Sequence, residues 1–378
     1  MSYDPGETVE FHGSCNADTW SIQIYRDGHR PEMAHEAFDL PGAFFPTSAT
    51  AYVDGCDWPV VHRWIIPKDQ RPGFYRVVST CLRKSGERFV QHHFVVVRPP
   101  REPRQGKILF MLATGTWPSY NDWGGANHYF GTYGPDRNEG SPHLSLHRPW
   151  TRGMLWLPKG AARIAQNRMP EMNDLPGYPS KEWGYSHGFG QYYAAAGWAQ
   201  FDRHFAVWAE SQGFGFDIIT QTDLHYRPEI LDDYACLVTV GHDEYWSWDM
   251  RKAVEDFVER GGNFSRFGGN FLSQIRLEED GARQVCWKVK AAAEDPVRDD
   301  PDRKHTLTAS WESGGVNWPG GSADPETGFF YIYTKTQVGA LGLVNDPDRS
   351  DMDFIRGRPE GVSGRDASTN IQGFPMIK

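Results

Sequence analysis

Four consecutive side chains that can carry protons or bind metal ions follow an apolar segment in the middle of the chain. In order they are His242, Asp243, Glu244 and Tyr245. The apolar residues 236–240 before them predict a strand buried on both faces, as in parallel sheets. Open α/β folds place their ligands and catalytic groups at the carboxyl ends of such strands. The pattern therefore favours proton transfer or metal binding here. The alternative is that Ser247 only caps the next helix while His242 and Asp243 hold the turn.

The elements around this segment predict two domains. Residues 1–98 contain short runs of alternating hydrophobicity with Gly and Pro between them, which favours an immunoglobulin-like β-sandwich. A stiff Pro-rich linker follows, and residues 105–378 form the second predicted domain. Its predicted strands are 108–112, 216–220, 236–240 and 263–267, with helices at 201–211 and 248–260. This alternation indicates a parallel, flavodoxin-like α/β layer. Between the strand at 108–112 and the helix at 201–211, residues 117–198 are predicted to form a long loop rich in aromatic residues.

Polar and aromatic side chains also follow other predicted strands of this layer. Trp117, Tyr120, Asn121 and Trp123 come after the strand at 108–112, and Asn270 comes after the strand at 263–267. Because parallel strands end at one edge, we expect these residues to line one pocket with Trp246. For residues 117–123 the alternative is an Asn/Asp turn with two packed indoles.

Composition excludes several classes of partner. The net charge is −10, with Lys and Arg scattered, which disfavours binding to nucleic acid or to anionic membranes. No apolar run is long enough to span a bilayer, and the N-terminus lacks the pattern of a signal peptide, so we expect a cytoplasmic protein. The five cysteines contain no CxxC pair, so neither a thiolate zinc site nor a disulfide framework is indicated.

The residues at these positions resemble one known family. The sequence His-Asp-Glu-Tyr-Trp-Ser at 242–247, the aromatic segment 117–125, and Gly-Gly-Asn at 261–263 and 268–270 are similar to the large (β) subunit of N,N-dimethylformamidase and its relatives. The resemblance implies a β-sandwich joined to a glutamine-amidotransferase-like α/β domain. It also implies hydrolysis of a small formamide to formate and an amine at a mononuclear iron held by two tyrosines and one glutamate.

Matching the family's ligands residue by residue gives Tyr245, His204 and Glu312. His204 stands where the family has its second tyrosine, and Ser310 replaces a histidine near the glutamate. Imidazole in place of phenolate removes one negative charge, so the expected cofactor is iron or another divalent transition metal. The alternative for His204 is a partly buried, hydrogen-bonded histidine that binds no metal.

Three functions remain open at this point. The first is a metal-dependent hydrolase of a small amide, in which His242, Glu244 and Asn270 serve catalysis. Its expected partners are the small-molecule amide, a small partner subunit and further copies in a homo- or hetero-oligomer. The second is a non-catalytic relative or scaffold subunit without metal. The third is a hydrolase of another small or carbohydrate-like substrate, which the aromatic loops suggest.

Overall fold

A computed structural model of the chain describes residues 1–83, 85–100, 107–131, 140–161, 179–190, 192–193, 195–269 and 273–287, together with the backbone of five short strands beyond residue 300. The chain divides into two compact units. The first comprises Met1–Phe267 and Phe271–Cys286, and the second comprises Gly268–Asn270 and Trp287–Lys378.

The N-terminal part of the first unit consists of strands with one short helix. The elements are β1 (Ser2–Tyr3), β2 (Thr8–His12), β3 (Thr19–Arg26), β4 (Glu32–Pro41), α1 (Ala51–Asp54), β5 (Val60–Ile65), β6 (Gly73–Leu82) and β7 (Arg88–Val97). One sheet has the strand order β1-β7-β6-β3-β4, and a second pairs β2 with β5. Pairing is antiparallel except between β1 and β7, which run parallel.

A shared apolar core joins strands of these two sheets. On β3, Trp20, Ile22 and Ile24 are buried at alternate positions, as a strand with one covered face requires. They pack in one cluster with Trp64 of β5 and Val77 of β6. The prediction of an all-β N-terminal part is therefore confirmed.

The remainder of the first unit alternates strands and helices. The elements are β8 (Ile108–Leu112), α2 (Thr116–Tyr120), β9 (His143–Ser145), α3 (Pro179–Ser186), α4 (Asp202–Ser211), β10 (Phe216–Thr220), α5 (Gln221–Tyr226), β11 (Cys236–His242), β12 (Tyr245–Ser247), α6 (Trp248–Glu259), β13 (Asn263–Gly269), β14 (Ser273–Glu278) and β15 (Arg283–Val285). A 3-10 helix covers Pro228–Asp233.

The central sheet has the order β10-β8-β11-β13, and β8 runs parallel to both of its neighbours. Successive residues of β8 and β11 belong to different apolar clusters. Phe110 and Val238 lie in one, whereas Leu109 and Leu237 lie in the other. Both faces are therefore covered, which explains the uninterrupted apolar sequence of these strands. Strand β12 belongs to a separate sheet, of order β12-β14-β15-β9.

Most of the predicted strands and helices of this part are confirmed. The prediction and the structure differ mainly in where individual elements end. The strands at 108–112 and 216–220 match β8 and β10, and α4 and α6 lie where helices were predicted. The turn predicted after residue 240 was partly wrong, because β11 continues to His242 and residues 245–247 form β12. Gly268 lies in β13 rather than in a turn. The predicted domain boundary near residue 98 lies inside the first unit and stays a prediction.

Helix α6 is stabilised by a capping residue at its start and by one buried apolar face. Its first turn is capped by Ser247, whose hydroxyl accepts a hydrogen bond from the backbone N–H of Met250 at 3.2 Å. Met250, Ala253, Val254 and Phe257 are buried at helical spacing. With 12 residues it is too short to cross a bilayer, and none of the described helices is long and apolar enough to do so.

The secondary-structure elements described beyond residue 300 are strands. They are β16 (His305–Thr308), β17 (Gly321–Ala323), β18 (Phe330–Ile332), β19 (Gly339–Val344) and β20 (Ile355–Gly357). β19 pairs antiparallel with β16 and with β20, and β17 pairs antiparallel with β18.

Gly241 provides a test of how the end of β11 is built. Its φ is +70°, and a Cβ atom there would lie 2.2 Å from the Cβ of Phe201. We expect Gly241→Ala to lower the free energy of unfolding by about 2 kcal/mol or more, through both backbone strain and overlap. Urea denaturation measures this. Gly215→Ala is the control, since a Cβ there meets nothing within 4 Å. Equal stability of the two variants would contradict the close packing at Gly241.

Two histidines of β7 provide a pH test. Burial lowers the pKa of His92 and of His93 from 6.5 to about 4. The unfolded chain therefore binds protons below pH 6.5 that the folded chain does not, and stability decreases as the pH falls from 6.5 towards 4. Replacing both with glutamine should reduce the loss of stability between pH 7 and pH 4.5 by about 2 kcal/mol or more. The measurement is urea denaturation at both pH values, with the exposed His29→Gln as control. An unchanged loss in the double variant would refute this assignment.

Candidate functional site

Three connections meet at one edge of the central sheet. They follow β8, β10 and β11, whose carboxyl ends lie together because the strands are parallel. The connection after β8 leads into α2, the one after β10 leads directly into α5, and the one after β11 leads into β12. Side chains of residues 117–123 and 242–245 were predicted to line one pocket, and Tyr120 of α2 contacts Glu244 in the connection after β11.

One hydroxyl fixes the backbone between β11 and β12. The Oγ1 of Thr116, at the start of α2, accepts hydrogen bonds from the backbone N–H groups of Glu244 at 2.9 Å and Tyr245 at 3.1 Å. Both amides are buried, so each needs a partner inside the protein. This contact sets the direction in which the side chains of Glu244 and Tyr245 leave the backbone.

The side chains of Tyr120, Tyr129, His242, Glu244 and Tyr245 form one hydrogen-bonded group, called here the tyrosine–glutamate cluster. The hydroxyl of Tyr120 donates to Glu244 Oε2 at 3.0 Å, and that of Tyr129 donates to the same oxygen at 3.2 Å. The hydroxyl of Tyr245 donates to that of Tyr129 at 2.5 Å. Tyr245 is fully buried, and Glu244 is 8% exposed. The structure thus brings together a carboxylate, three phenols and an imidazole.

The hydrogen bonds of His242 define where its protons lie. Its Nδ1 is 2.7 Å from the carbonyl oxygen of Ala195, which can only accept, so Nδ1 carries a proton. Its Nε2 is 3.1 Å from Glu244 Oε2. Two lone pairs cannot face each other at that distance without repulsion, so His242 and Glu244 share a proton between them. The pair can therefore give up a proton or accept one.

The loop that carries Tyr129 is held on both sides. The side-chain oxygen of Asn127 accepts from the backbone N–H groups of Tyr129 at 2.8 Å and Phe130 at 2.9 Å. The ring of His128 stacks on Tyr245, with centroids 6.1 Å apart, and its Nδ1 contacts the carbonyl of Ser141 at 2.7 Å. The position of the Tyr129 hydroxyl is therefore set by the fold.

Burial determines the charge state of the phenols. Desolvation, reinforced by neighbouring tyrosines and Glu244, raises the pKa of Tyr120 and Tyr245 well above its ordinary value. The pKa of Tyr129 is also raised, mainly by burial. All three phenols are therefore protonated near neutral pH, unless a cation lies against the oxygen.

Asp243 has a different role from its neighbours. Its Oδ1 accepts from Trp246 Nε1 at 3.0 Å and from Gln221 Nε2 at 3.2 Å, while Arg266 lies 3.6 Å from Oδ2. Burial raises the pKa of Asp243 to about 6 in spite of Arg266. These contacts hold the connection between β11 and β12. For Asp243 this agrees with the alternative interpretation of the sequence, in which this residue holds the turn.

The predicted pocket residues are placed in different surroundings. Trp117 lies in the core, edge-on to Phe94 and Trp150. The side chain of Asn121 donates to the carbonyl of Pro149 and accepts from the N–H of Trp123, which fixes the turn. Trp246 packs in the core on the other face of the sheet. Of the predicted pocket residues, Tyr120 reaches the tyrosine–glutamate cluster.

The predicted metal ligands can be placed only in part. Tyr245 is buried within the cluster, whereas His204 is exposed on α4. Glu312, Ser310 and Asn270 lie outside the described residues, so the ligand set stays a prediction. Within the described part of the chain, no three His, Cys, Asp or Glu side chains are grouped as metal ligands usually are. The oxygens close to Tyr245 come from a phenol and, beyond it, a carboxylate.

Three residues of the site were missed in the sequence. Thr116 and Gln221 directly follow β8 and β10 at the same edge as His242, so the rule that located the histidine could have found them. Tyr129 gave no such signal, because it lies in a loop without periodicity.

Thr116 provides a test of this geometry. Thr116→Val removes the acceptor of two buried N–H groups while keeping the side-chain shape, and should lower the free energy of unfolding by about 2 kcal/mol or more. Thr116→Ser keeps the oxygen and should cost much less. Urea denaturation compares the two variants. A loss in Thr116→Ser as large as that in Thr116→Val, or larger, would contradict the special role of the hydroxyl.

Comparison with known proteins agrees with the resemblance. The N,N-dimethylformamidase β subunit of Alcaligenes sp. is 24% identical over 318 residues, and that of Paracoccus aminophilus is 25% identical over the same length. Each alignment covers 80% of this chain and 37% of the relative, so the chain spans little more than a third of these proteins.

A structural neighbour, an amphioxus IgVJ-C2 molecule, shares 18% identity. The match covers 29% of this chain and 64% of that one, and its TM-score of 0.16 supports no conclusion about the fold. The sequence profile of the family described as N,N-dimethylformamidase beta subunit-like, C-terminal, matches residues 21–351. The chain therefore belongs to the family of C-terminal regions of N,N-dimethylformamidase β subunits.

Proposed function

We propose that this chain hydrolyses the C–N bond of a small amide, as the name of its relatives suggests, and that the tyrosine–glutamate cluster is its reactive centre. The observation that carries the proposal is the carboxylate of Glu244, which accepts from two phenols and shares a proton with His242. Amide hydrolysis requires a group that takes a proton from water and returns one to the leaving nitrogen. His242 and Glu244 together form such a group.

A metal ion is part of the proposal, with Tyr245, His204 and Glu312 as the proposed ligands and iron or another divalent transition metal as the ion. Near Tyr245 the chemistry of the described donors fits, because phenol and carboxylate oxygens suit a hard cation. His204, which is exposed on α4, is included as a ligand on the resemblance alone. When bound, the ion would polarise the amide carbonyl and acidify a water molecule. The buried phenol of Tyr245 would lose its proton only with such a cation beside it, given its raised pKa.

The side chains of the cluster then have separate tasks. Tyr120 and Tyr129 hold the carboxylate of Glu244 in one orientation through their hydroxyl groups. The carbonyl of Ala195 fixes the Nδ1–H of His242, so Nε2 is the nitrogen that exchanges a proton with Glu244. The leaving amine would receive its proton from this pair. Asn270 is proposed to bind the substrate carbonyl or the departing group.

Several finer features belong to the same proposal. We propose that the α/β part has the glutamine-amidotransferase-like, flavodoxin-like topology and that the sandwich is immunoglobulin-like. Because the relatives are named as β subunits, we propose that the chain acts with a small partner subunit in an oligomer, in the cytoplasm.

Substitutions in the cluster test the activity. With N,N-dimethylformamide as substrate, Glu244→Gln should lower the release of dimethylamine by 100-fold or more, on the order expected for loss of a general acid–base group. Tyr226→Phe is the control, since Tyr226 is exposed on α5. A wild-type protein that releases amine from neither formamides nor acetamides, both alone and together with the proposed partner subunit, would contradict the proposed function. Equal activity of Glu244→Gln and wild type would exclude the cluster.

Element-resolved analysis of the purified protein tests the metal. We expect close to one transition-metal ion per chain in the wild type and loss of most of it in Tyr245→Phe, because the phenolate oxygen is a proposed ligand. Tyr192→Phe is a matched control, a second tyrosine whose ring lies near Tyr120 and Tyr129. Full metal content in Tyr245→Phe would remove Tyr245 from the ligand set.

A further inference from the structure

Two histidines meet between the sheets of the N-terminal part, away from the tyrosine–glutamate cluster. His35 lies on β4 and His62 on β5, and their Nε2 atoms are 2.8 Å apart. β4 belongs to the five-stranded sheet and β5 to the two-stranded one. The contact therefore joins the two sheets through side chains.

The register of the strands shows that both rings point to the core side. His35 is paired with Ile24, which is fully buried, and directly opposite residues share a face of the sheet. His62 lies two residues before the buried Trp64, and so on the same face of β5. The pair sits at the margin of the apolar core, where both rings are half-buried.

Aromatic rings surround the pair. Phe11 stacks on His62 with centroids 6.2 Å apart, Trp20 meets it edge-on at 6.5 Å, and Trp64 stacks on His35 at 6.2 Å. Glu36, the next residue of β4, is the charged group whose field acts on His35. The aromatic neighbours thus flank both rings without adding charge.

Both rings are neutral near pH 7. Burial lowers the pKa of His35 and of His62, and at His62 the neighbouring ring of His35 lowers it further. In the hydrogen bond one Nε2 carries a proton and the other offers its lone pair. Neutral imidazoles are the form in which histidine binds metal ions.

We propose that His35 and His62 form a binding site for a divalent transition-metal ion that links the two sheets. The ion replaces the shared proton, and both Nε2 atoms coordinate it through their lone pairs. The histidine whose Nε2 carried the proton changes to its Nδ1–H tautomer, so both rings stay neutral and no net proton is released. Water completes the coordination on the exposed side.

The spacing favours some ions over others. Two nitrogens bound at ~2.0 Å in adjacent positions of a square-planar complex are ~2.8 Å apart, and in a tetrahedral one ~3.3 Å apart. The observed separation matches the first case. The ring centroids are 5.1 Å apart, so the two Nε2 atoms face each other along the N–N line, and each ring must turn by roughly 45° to direct its lone pair to a common ion. Cu²⁺ and Ni²⁺ prefer such geometry and nitrogen ligands, whereas Mg²⁺ and Ca²⁺ prefer oxygen. The site should therefore take Cu²⁺ or Ni²⁺ ahead of Zn²⁺.

Titration of the full chain with Ni²⁺ or Cu²⁺ tests the proposal. His35→Gln and His62→Gln should each bind the ion about tenfold or more weakly than the wild type at one site per chain, as expected when a ligand is lost. The ion should also raise the melting temperature of the wild type by several degrees and leave both variants nearly unchanged, because only the wild type is linked across the sheets. His12→Gln is the control, since His12 is exposed on β2 and its Nδ1 contacts the carbonyl of Trp58.

Electron paramagnetic resonance of the wild type with one equivalent of Cu²⁺ gives a second measurement that requires no variant. Hyperfine splitting from two equivalent imidazole nitrogens supports the site. Its absence overturns the proposal, and so does identical binding by wild type and both glutamine variants. In either of those cases the pair is a hydrogen bond only. Neither measurement depends on amide hydrolysis, so the outcome is independent of the proposed function.

Discussion

The buried amide of Gln221 is the group on which the rest of the candidate site depends, because it joins three segments that are distant in sequence. Its Oε1 accepts from the N–H of Gly115 at 2.7 Å, and its Nε2 donates to Asp243 Oδ1 at 3.2 Å and to the carbonyl of Tyr245 at 3.1 Å. All of these groups are buried, so loss of any one leaves polar atoms without partners. Gly115 must lack a side chain, since a Cβ there would lie 2.6 Å from the backbone carbonyl oxygen of Tyr245.

This arrangement separates support from reactivity. Thr116, Gln221 and Asp243 use their polar atoms to hold the backbone, whereas Tyr120, Tyr129 and His242 direct theirs towards one carboxylate. Glu244 is the point where the two sets meet: its N–H is held by Thr116 and its side chain by the phenols. A buried carboxylate is costly unless several donors stabilise it, and the phenols supply them without adding charge. The position of Glu244 is thus set by the fold before any substrate binds.

Much of the local structure was readable from the sequence. The strands at 108–112 and 216–220 could be assigned because a strand covered on both faces requires an uninterrupted apolar sequence. Helix α6 could be assigned because Ser247 marks its first turn and its apolar residues recur at helical spacing. The ends of elements were less certain. β11 extends through Gly241 and His242, and β12 begins after two intervening residues, because pairing with β14 stabilises three residues whose sequence alone resembles a turn.

The sequence by itself determined the family, the all-β character of the N-terminal part, and the strand end that carries His242 and Glu244, because hydrophobic periodicity and a distinctive motif are local properties. Only the tertiary structure decided which side chains surround Glu244. Tyr129 reaches it from a loop more than a hundred residues away in sequence, and Trp117, adjacent in sequence to other candidates, turns instead into the core. Contacts of this kind depend on packing between segments far apart along the chain, and no local pattern records that packing.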